Sequence, residues 1–239
     1  MGMFCIKIAD TVIGIDNRYG AVKRICKDYL TDEPPVFTVS SDDADLAYEL
    51  DLADTLGAES DRSPEYLELV SVYRKICEKI HEYGVYMLHA SVIEKGGRGF
   101  AFSAPSGTGK STHILLWRRI FGDKVNMING DKPLIRVVDG VPYAYGTPWC
   151  GKEGWQRNAK APLHALCFLY RAKENKIEKM SKSDAFMRMI GQVYMPNGAE
   201  GAEKVVDLVQ KTAEAVNFYT LGCNMERTAA ELACKEMEK

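Results

Sequence analysis

The residues best suited to chemistry lie in one glycine-rich segment, A-P-S-G-T-G-K-S-T, at positions 104–112. Strand-like sequence precedes this segment and helix-like sequence follows it, which is the context in which such a loop wraps its backbone amides around phosphate groups. Glycines allow the backbone to turn inward, a lysine reaches the β- and γ-phosphates, and a hydroxyl in the next position binds Mg²⁺. The usual phosphate-loop pattern begins with glycine, where this chain has Ala104. The predicted nucleotide-binding residues are Ser106, Gly107, Thr108, Gly109, Lys110, Ser111 and Thr112.

A single acid follows the next predicted strand. Asp131 lies 20 residues after Ser111 and ends the run Asn129-Gly130-Asp131. A phosphate loop needs a carboxylate that holds Mg²⁺, and an acid at the end of a neighbouring strand faces the phosphates. We therefore predict that Ser111 binds the metal and that Asp131 binds the metal, acts as a general base, or does both. A Gly-Asp turn without a chemical role is the alternative interpretation.

A second chemically rich segment is the loop at positions 147–158, which holds two of the three tryptophans between glycines. Lys152 and Arg157 are candidates for stabilising the charge of a transferring phosphoryl group, as cationic clamps do. Glu153 is a candidate for orienting an acceptor. A packed surface loop anchored by its tryptophans is the alternative interpretation.

These motifs occur in an order that resembles a known family. Leu88-His89-Ala90-Ser91, a hairpin, the glycine-rich segment and then Asn129-Gly130-Asp131 resemble the C-terminal kinase domain of HPr kinase/phosphorylase. The S-G-T-G-K-S-T piece is also similar to the phosphate loop of phosphoenolpyruvate carboxykinase. The chain also resembles small stand-alone HPr-kinase-like proteins, which share the run P-W-x-G-K-E at 148–153. Some of these proteins phosphorylate a serine of a ribosomally made precursor peptide. The resemblance covers roughly positions 86–170.

The resemblance implies roles for four residues. Lys110 and Ser111 match the phosphate-binding lysine and the Mg²⁺-binding hydroxyl, and His89 matches a histidine near the transferred phosphate. Asp131 matches one member of an adjacent Asp-Asp pair, whose second member is replaced here by Gly130 or Lys132. In the family, one of the two acids can bind the metal while the other accepts the proton. In this chain His89 or Glu153 would have to take one of these two roles.

The expected function is Mg²⁺-dependent phosphoryl transfer from ATP, or another nucleoside triphosphate, to a hydroxyl. The resemblance indicates a serine or threonine of a peptide or protein as the acceptor. Two alternatives remain open: a nucleotide-binding regulatory module without catalysis, and carboxykinase-like chemistry on a small metabolite. Lys110 and Asp131 belong to the catalytic set, together with His89, Lys152, Glu153 and Arg157.

The elements needed to position these residues follow from periodicity and turn signals. We expect an α/β protein whose C-terminal domain, residues 85–239, has a phosphate-loop-containing mixed sheet flanked by helices. A small α+β portion, residues 1–84, precedes it. Strands are predicted at 85–93 and 99–103, a helix at 113–121, and hairpins around Gly96-Gly97 and Asp139-Gly140.

Composition limits the function classes. The chain has 239 residues and a formal net charge of -2, so bulk charge gives no reason to bind nucleic acid or an anionic membrane. No apolar run of transmembrane length occurs, and the N-terminus lacks the build of a signal peptide. Seven scattered cysteines without a C-x-x-C pattern predict reduced thiols rather than disulfides or zinc ligands. We expect a cytoplasmic protein that forms a homo-oligomer or acts alone.

Overall fold

The computed structural model describes residues 2–55, 57, 61–105 and 107–239. The chain is a mixed α/β protein with two compact units, Met1–Tyr83 and Gly84–Lys239. No helix in these described ranges is both long and apolar enough to cross a membrane.

The first unit combines one small sheet with three helices. Strands β1 to β4 form a sheet in the order β3-β1-β2-β4, in which β1 and β2 are an antiparallel hairpin and β4 runs parallel to β2. The elements are β1 (Gly2–Ile8), β2 (Thr11–Asn17), α1 (Gly20–Ile25), β3 (Leu30–Thr31), β4 (Phe37–Ser40), α2 (Asp43–Thr55) and α3 (Pro64–Ile80). A short 3-10 turn, Lys27–Tyr29, precedes β3, and another, His81–Tyr83, follows α3.

Helix α3 begins where the sequence predicts it. The Ser63 hydroxyl accepts a hydrogen bond from the Tyr66 amide at 3.3 Å, and Pro64 occupies the first helical position. Further along the helix, Glu68 is fully buried and accepts the backbone amides of Arg18 and Tyr19 at 2.5 and 2.9 Å. Helix α1 has no side-chain cap of its own, so the Glu68 carboxylate provides the acceptor for the backbone amides just before this helix.

The second unit contains nine strands and four helices in the described residues. Its strands are β5 (Val85–Met87), β6 (Ser91–Lys95), β7 (Arg98–Ser103), β8 (Asn126–Asn129), β9 (Leu134–Val138), β10 (Val141–Tyr145), β11 (Lys160–Arg171), β12 (Lys176–Lys179) and β13 (Asn217–Cys223). Its helices are α4 (Lys110–Phe121), α5 (Lys182–Ile190), α6 (Ala199–Ala215) and α7 (Arg227–Met237).

One mixed sheet joins all nine strands of this unit. Strand β11 is its centre: residues 160–162 pair antiparallel with β10, and the remainder pairs in parallel with both β7 and β13. Strands β6 and β8 continue the sheet beyond β7, and β9 and β5 continue it beyond β10. The three parallel strands β7, β11 and β13 therefore present their carboxyl ends at one edge.

Side chains alternate between two cores on opposite faces of this sheet. Phe100 and Phe102 of β7 pack with α4 and α7, whereas Ala101 between them packs with α5 and α6. Trp117 of α4 is fully buried, with ring centroids 5.8 Å from Phe100 and 5.5 Å from Phe102. Burial of these aromatic rings fixes α4, and hence the loop before it, against the end of β7.

The two hairpins predicted for this unit are confirmed. Both hairpins form, and their turns place Gly96, Gly97, Asp139 and Gly140 at positive φ, as type I′ turns require. The predicted single strand at 85–93 is wrong, because it breaks between β5 and β6. Strand β5 pairs with β9, whereas β6 pairs with β7 and β8. The chain therefore changes its pairing partners between β5 and β6.

Candidate functional site

The glycine-rich loop connects β7 to α4 at the carboxyl edge of the parallel strands. Gly107 and Gly109 have φ of 74° and 114°, a backbone region that side chains other than glycine rarely adopt. Gly109 is the residue before α4, so Lys110, Ser111 and Thr112 form the first turn of the helix with its free amides. Ser106, which the sequence includes in the nucleotide site, lies outside the described residues. A side-chain atom added at Gly107 or Gly109 would meet nothing within 4 Å, so the loop borders open space.

Three predicted catalytic residues meet beside this loop. The Lys110 Nζ atom lies 3.0 Å from Asp131 Oδ1 and 3.2 Å from His89 Nε2. His89 Nε2 is also 3.2 Å from the same carboxylate oxygen. The lysine comes from α4, the aspartate from the loop after β8, and the histidine from the break between β5 and β6. The break that the sequence did not predict is therefore the feature that carries His89 into the cluster.

The electrostatics of the cluster keep Asp131 ionised. Burial by itself raises the pKa of this carboxyl, but the hydrogen bond from His89 and the positive charge of Lys110 outweigh burial and hold the pKa well below its usual range. A carboxylate that stays charged near neutral pH is suited to holding a cation or orienting a hydroxyl.

Asn129 fixes the position of Asp131. Its Oδ1 atom accepts the amides of Asp131 and Lys132, each at 2.8 Å. Its amide group donates to the carbonyl and hydroxyl of Thr147, at 3.1 and 3.0 Å. Asn129 and Thr147 are both fully buried. An asparagine that ends a strand and precedes Gly-Asp is a turn signal that could have revealed this role.

His89 is held through its backbone. Its amide donates to the Gln192 carbonyl at 2.7 Å, and its carbonyl accepts the Ser103 hydroxyl at 3.0 Å. The Ser103 hydroxyl also lies 3.0 Å from the Gln192 side-chain oxygen. Gln192 follows α5, about a hundred residues from His89 in the chain, so no local pattern in the sequence predicts this contact.

Close packing explains why Asp131 has no adjacent acid on its N-terminal side. A side-chain carbon at Gly130 would lie 2.7 Å from the Cys150 carbonyl oxygen and 3.3 Å from that of Trp155. The Gly130 amide donates to the Trp155 carbonyl at 2.8 Å, which holds the 147–158 loop against this position. An aspartate at position 130 would displace that loop.

Glu153 approaches Asp131 from the same loop. A side-chain carbon built at Gly151 would lie 3.5 Å from Asp131 Cγ and 3.6 Å from Glu153 Oε2. Both carboxyl groups are therefore close to this one position. Burial raises the pKa of the Cys150 thiol, and the charges of Asp131 and Glu153 raise it further. Cys150 is therefore held as a thiol rather than as a nucleophilic thiolate.

Of the two cations predicted in this loop, Arg157 lies away from Asp131. The Arg157 guanidinium donates to Asn126 Oδ1 at 2.8 Å, at the start of β8 and thus at the opposite end of that strand from Asp131. Lys152 is exposed in the same turn as Gly151 and makes no hydrogen bond or ion pair among the described residues. The structure thus places Glu153 and Asp131 near the same point at Gly151 but does not bring Arg157 there.

Arg171 is a cation at the loop that the sequence analysis missed. It ends β11, next to β7, and its guanidinium donates to the carbonyls of Gly107 and Thr108, the latter at 3.4 Å. Because a trans peptide directs its N–H opposite to its C=O, this contact turns the Gly109 amide away from Arg171. The parallel pairing of β7 and β11 could be inferred only from the fold.

None of the seven cysteines forms a disulfide. Within the described part of the chain, no three His, Cys, Asp or Glu side chains are grouped as metal ligands. In proteins, Mg²⁺ is commonly held by one or two carboxylates together with water and substrate oxygens, so a site of that kind would not form such a group.

Comparison with known proteins identifies a family. The family model described as "SynChlorMet cassette protein ScmC" matches residues 54–197, more than half of the chain. The chain belongs to the ScmC family. Among curated proteins, no sequence matches this ScmC-family chain. Among solved structures it is similar to the Hpr(Ser) kinase/phosphatase from Coxiella burnetii, with 10% identity and a TM-score of 0.36, over 64% of this chain and 92% of that one. That likeness is too distant to assign a fold or an activity.

Proposed function

We propose that this protein is a phosphate-loop kinase that transfers a phosphoryl group from ATP, or another nucleoside triphosphate, to the hydroxyl of a peptide or protein. The observation that carries the proposal is the contact of Lys110 with Asp131 and His89 at the mouth of a loop with two left-handed glycines. A cation, an anion and an imidazole meet there beside the free amides of a helix.

The triphosphate would bind along the loop and the first turn of α4. The amides of Gly109 and of the first turn of α4 would donate to phosphate oxygens, since the Thr108 amide already donates to the Pro105 carbonyl. Lys110 would exchange part of its contact with Asp131 for the β- and γ-phosphates. Arg171 supports this arrangement, because it holds the carbonyls of Gly107 and Thr108 on the side of the loop away from the triphosphate.

The oxygen donors present fit a magnesium ion. The Ser111 hydroxyl lies in the first helical turn, the Asp131 carboxylate stays ionised, and Glu153 approaches the same region. These are the ligands that Mg²⁺ prefers, and the ion, when bound, would neutralise charge on the phosphates.

The acceptor hydroxyl would be oriented by Asp131 and His89. Phosphoryl transfer proceeds through a loose transition state in which positioning and charge stabilisation matter more than base strength. A carboxylate with a lowered pKa is therefore adequate as the hydrogen-bond acceptor of the hydroxyl, and His89 can take its proton after transfer. Asn129 and Gln192 act as positioning residues for these two groups.

The first experiment is calorimetric titration of the protein with ATP and with GTP, with and without Mg²⁺. Native protein is expected to bind one nucleotide in a metal-dependent manner, and Lys110→Ala is expected to bind it roughly 10- to 100-fold more weakly, the effect of losing a charged hydrogen bond. Lys204→Ala, on the exposed face of α6, is the matched control and should bind as the native protein does. Absence of nucleotide binding by the native protein would refute the proposal.

Transfer itself is tested with γ-labelled nucleotide and serine-containing peptides, with alanine counterparts as controls. Asp131→Asn should retain a folded structure and lose transfer more than nucleotide binding. Tight binding without transfer to any peptide would favour the nucleotide-binding regulatory module instead. Carboxykinase-like chemistry is disfavoured, because Arg157 does not join Lys110 at the site.

A further inference from the structure

A cavity of about 560 Å³ opens on the second unit beside the end of α4. It is surrounded by the last turns of that helix and by the start of β8. Its lining includes Leu115, Arg118, Arg119, Asp123, Val125 and Asn126. The volume suffices for a few side chains of a bound ligand.

The cavity carries an excess of arginine. Arg118 and Arg119 line it, and Arg157 joins it through the 2.8 Å hydrogen bond to Asn126. None of these three guanidinium groups has a carboxylate partner within hydrogen-bond or ion-pair distance among the residues that the structure describes. Asp123 is the single acid of the lining.

The lining also offers apolar surface. Leu115 of α4 is 49% exposed, and Val125, the residue before β8, also belongs to the lining. The cavity therefore combines unpaired guanidinium groups with a small hydrophobic contact, which suits an acidic segment that also carries an apolar side chain.

Trp155 connects this cavity to the Asp131 cluster. The Arg118 guanidinium lies 5.8 Å from the centre of the Trp155 ring, and the Trp155 carbonyl accepts the amide of Gly130, next to Asp131. Lys110 and Arg118 are eight residues apart on α4, which is about 12 Å along the helix axis. An extended peptide covers that distance with about four residues.

We propose that the cavity between Arg118, Arg119 and Arg157 binds the acidic part of the acceptor peptide, about four residues from the hydroxyl that receives the phosphoryl group. This inference rests on the proposed function for the identity of the hydroxyl, but peptide docking does not require nucleotide. A guanidinium group binds a carboxylate through two parallel hydrogen bonds, so a run of glutamates or aspartates would satisfy the unpaired arginines.

The chemistry of the cavity favours a peptide over a nucleic acid. A nucleic-acid groove would need a longer line of cations and several aromatic rings for bases. Here the cavity offers a compact group of three guanidinium groups, and the Trp155 ring lies against Arg118.

The test is fluorescence anisotropy of a labelled peptide in the absence of nucleotide. The peptide carries one serine with a run of glutamates about four residues away, on its N-terminal or its C-terminal side, and its counterpart carries glutamines instead. We expect the glutamate peptide to bind, with an affinity that falls as salt rises. The double variant Arg118→Glu/Arg119→Glu should weaken this binding about tenfold or more, through loss of attraction and added repulsion.

The matched control is Lys204→Glu/Lys211→Glu, which makes the same change of charge on α6, the helix that packs on the other face of the sheet. Loss of peptide binding in both double variants would indicate an effect of net charge alone and would overturn the proposal. Equal binding of the glutamate and glutamine peptides would overturn it too.

A single-stranded oligonucleotide serves as competitor. If it binds at this cavity more tightly than the glutamate peptide does, the surface recognises nucleic acid and the proposal is wrong. Because this assay contains no nucleotide triphosphate, its outcome is separate from the calorimetric test. A protein that binds acidic peptide but no ATP would retain this docking surface and lose the kinase function.

Discussion

His113, in the first turns of α4, makes the stability of the second unit depend on pH. The side chain is 2% exposed, its Nε2 atom accepts the Trp117 indole N–H at 3.0 Å, and its Nδ1 atom has no hydrogen-bond partner. Burial lowers the pKa of His113 from 6.5 to about 4. The imidazole is therefore neutral in the folded protein and must lose its indole contact or unfold the helix to become charged.

The sign and size of the effect follow from the difference in pKa. Because the folded-state pKa of His113 lies below the unfolded value, its contribution is fully present above about pH 6.5 and is lost as pH falls toward 4. Between about pH 7.5 and pH 5, proton uptake by the unfolded chain at this one residue lowers the free energy of unfolding by about 2 kcal/mol.

Urea unfolding at the two pH values measures this, in the native protein and in His113→Gln. Glutamine can still accept the Trp117 indole N–H but does not titrate. All three tryptophans lie in the second unit, so their emission reports the unfolding of that unit. We expect the native protein to lose about 2 kcal/mol more than His113→Gln does on acidification. An equal loss in both proteins would refute the reasoning, because it would mean that His113 titrates alike in the folded and unfolded states.

Two further substitutions test close packing and buried hydrogen bonding. Gly130→Ala should lower the free energy of unfolding by about 1–3 kcal/mol and weaken Mg²⁺-dependent nucleotide binding, since the new carbon would lie 2.7 Å from a backbone oxygen of the neighbouring loop. The control is Gly191→Ala, because the nearest atom to the added carbon would be 3.6 Å away and φ is -76°. This change should alter the free energy of unfolding by less than about 0.5 kcal/mol. Equal effects of the two changes would contradict the packing argument. Glu68→Ala should cost about 2–4 kcal/mol in the first unit, followed by circular dichroism, because it leaves the amides of Arg18 and Tyr19 without an acceptor. Wild-type stability of this variant would show that water replaces the carboxylate.

Local features of the structure were largely predictable. The Ser63 cap, the two type I′ hairpins and the glycine-rich turn before α4 depend on residues within a few positions of one another. Such patterns depend on backbone sterics and nearby hydrogen bonds, which a short stretch of sequence specifies by itself. The helix itself was predictable at 113–121, although it begins three residues earlier, at Lys110.

Relations between distant segments were decided only by the tertiary structure. The break that carries His89 to Asp131 exists because β5 and β6 pair with different strands, and Gln192 then holds the backbone of His89. Arg171 reaches the loop only because β11 lies parallel to β7.

The 147–158 loop illustrates both halves of this distinction. Its sequence identified Glu153 and Arg157 together as candidates, yet the fold directs them to opposite ends of β8. The sequence by itself determined which residue types are present, and where the chain turns locally. Which side chains share a site was decided by strand pairing and by the close approach at Gly130, since these depend on contacts between residues far apart in the chain.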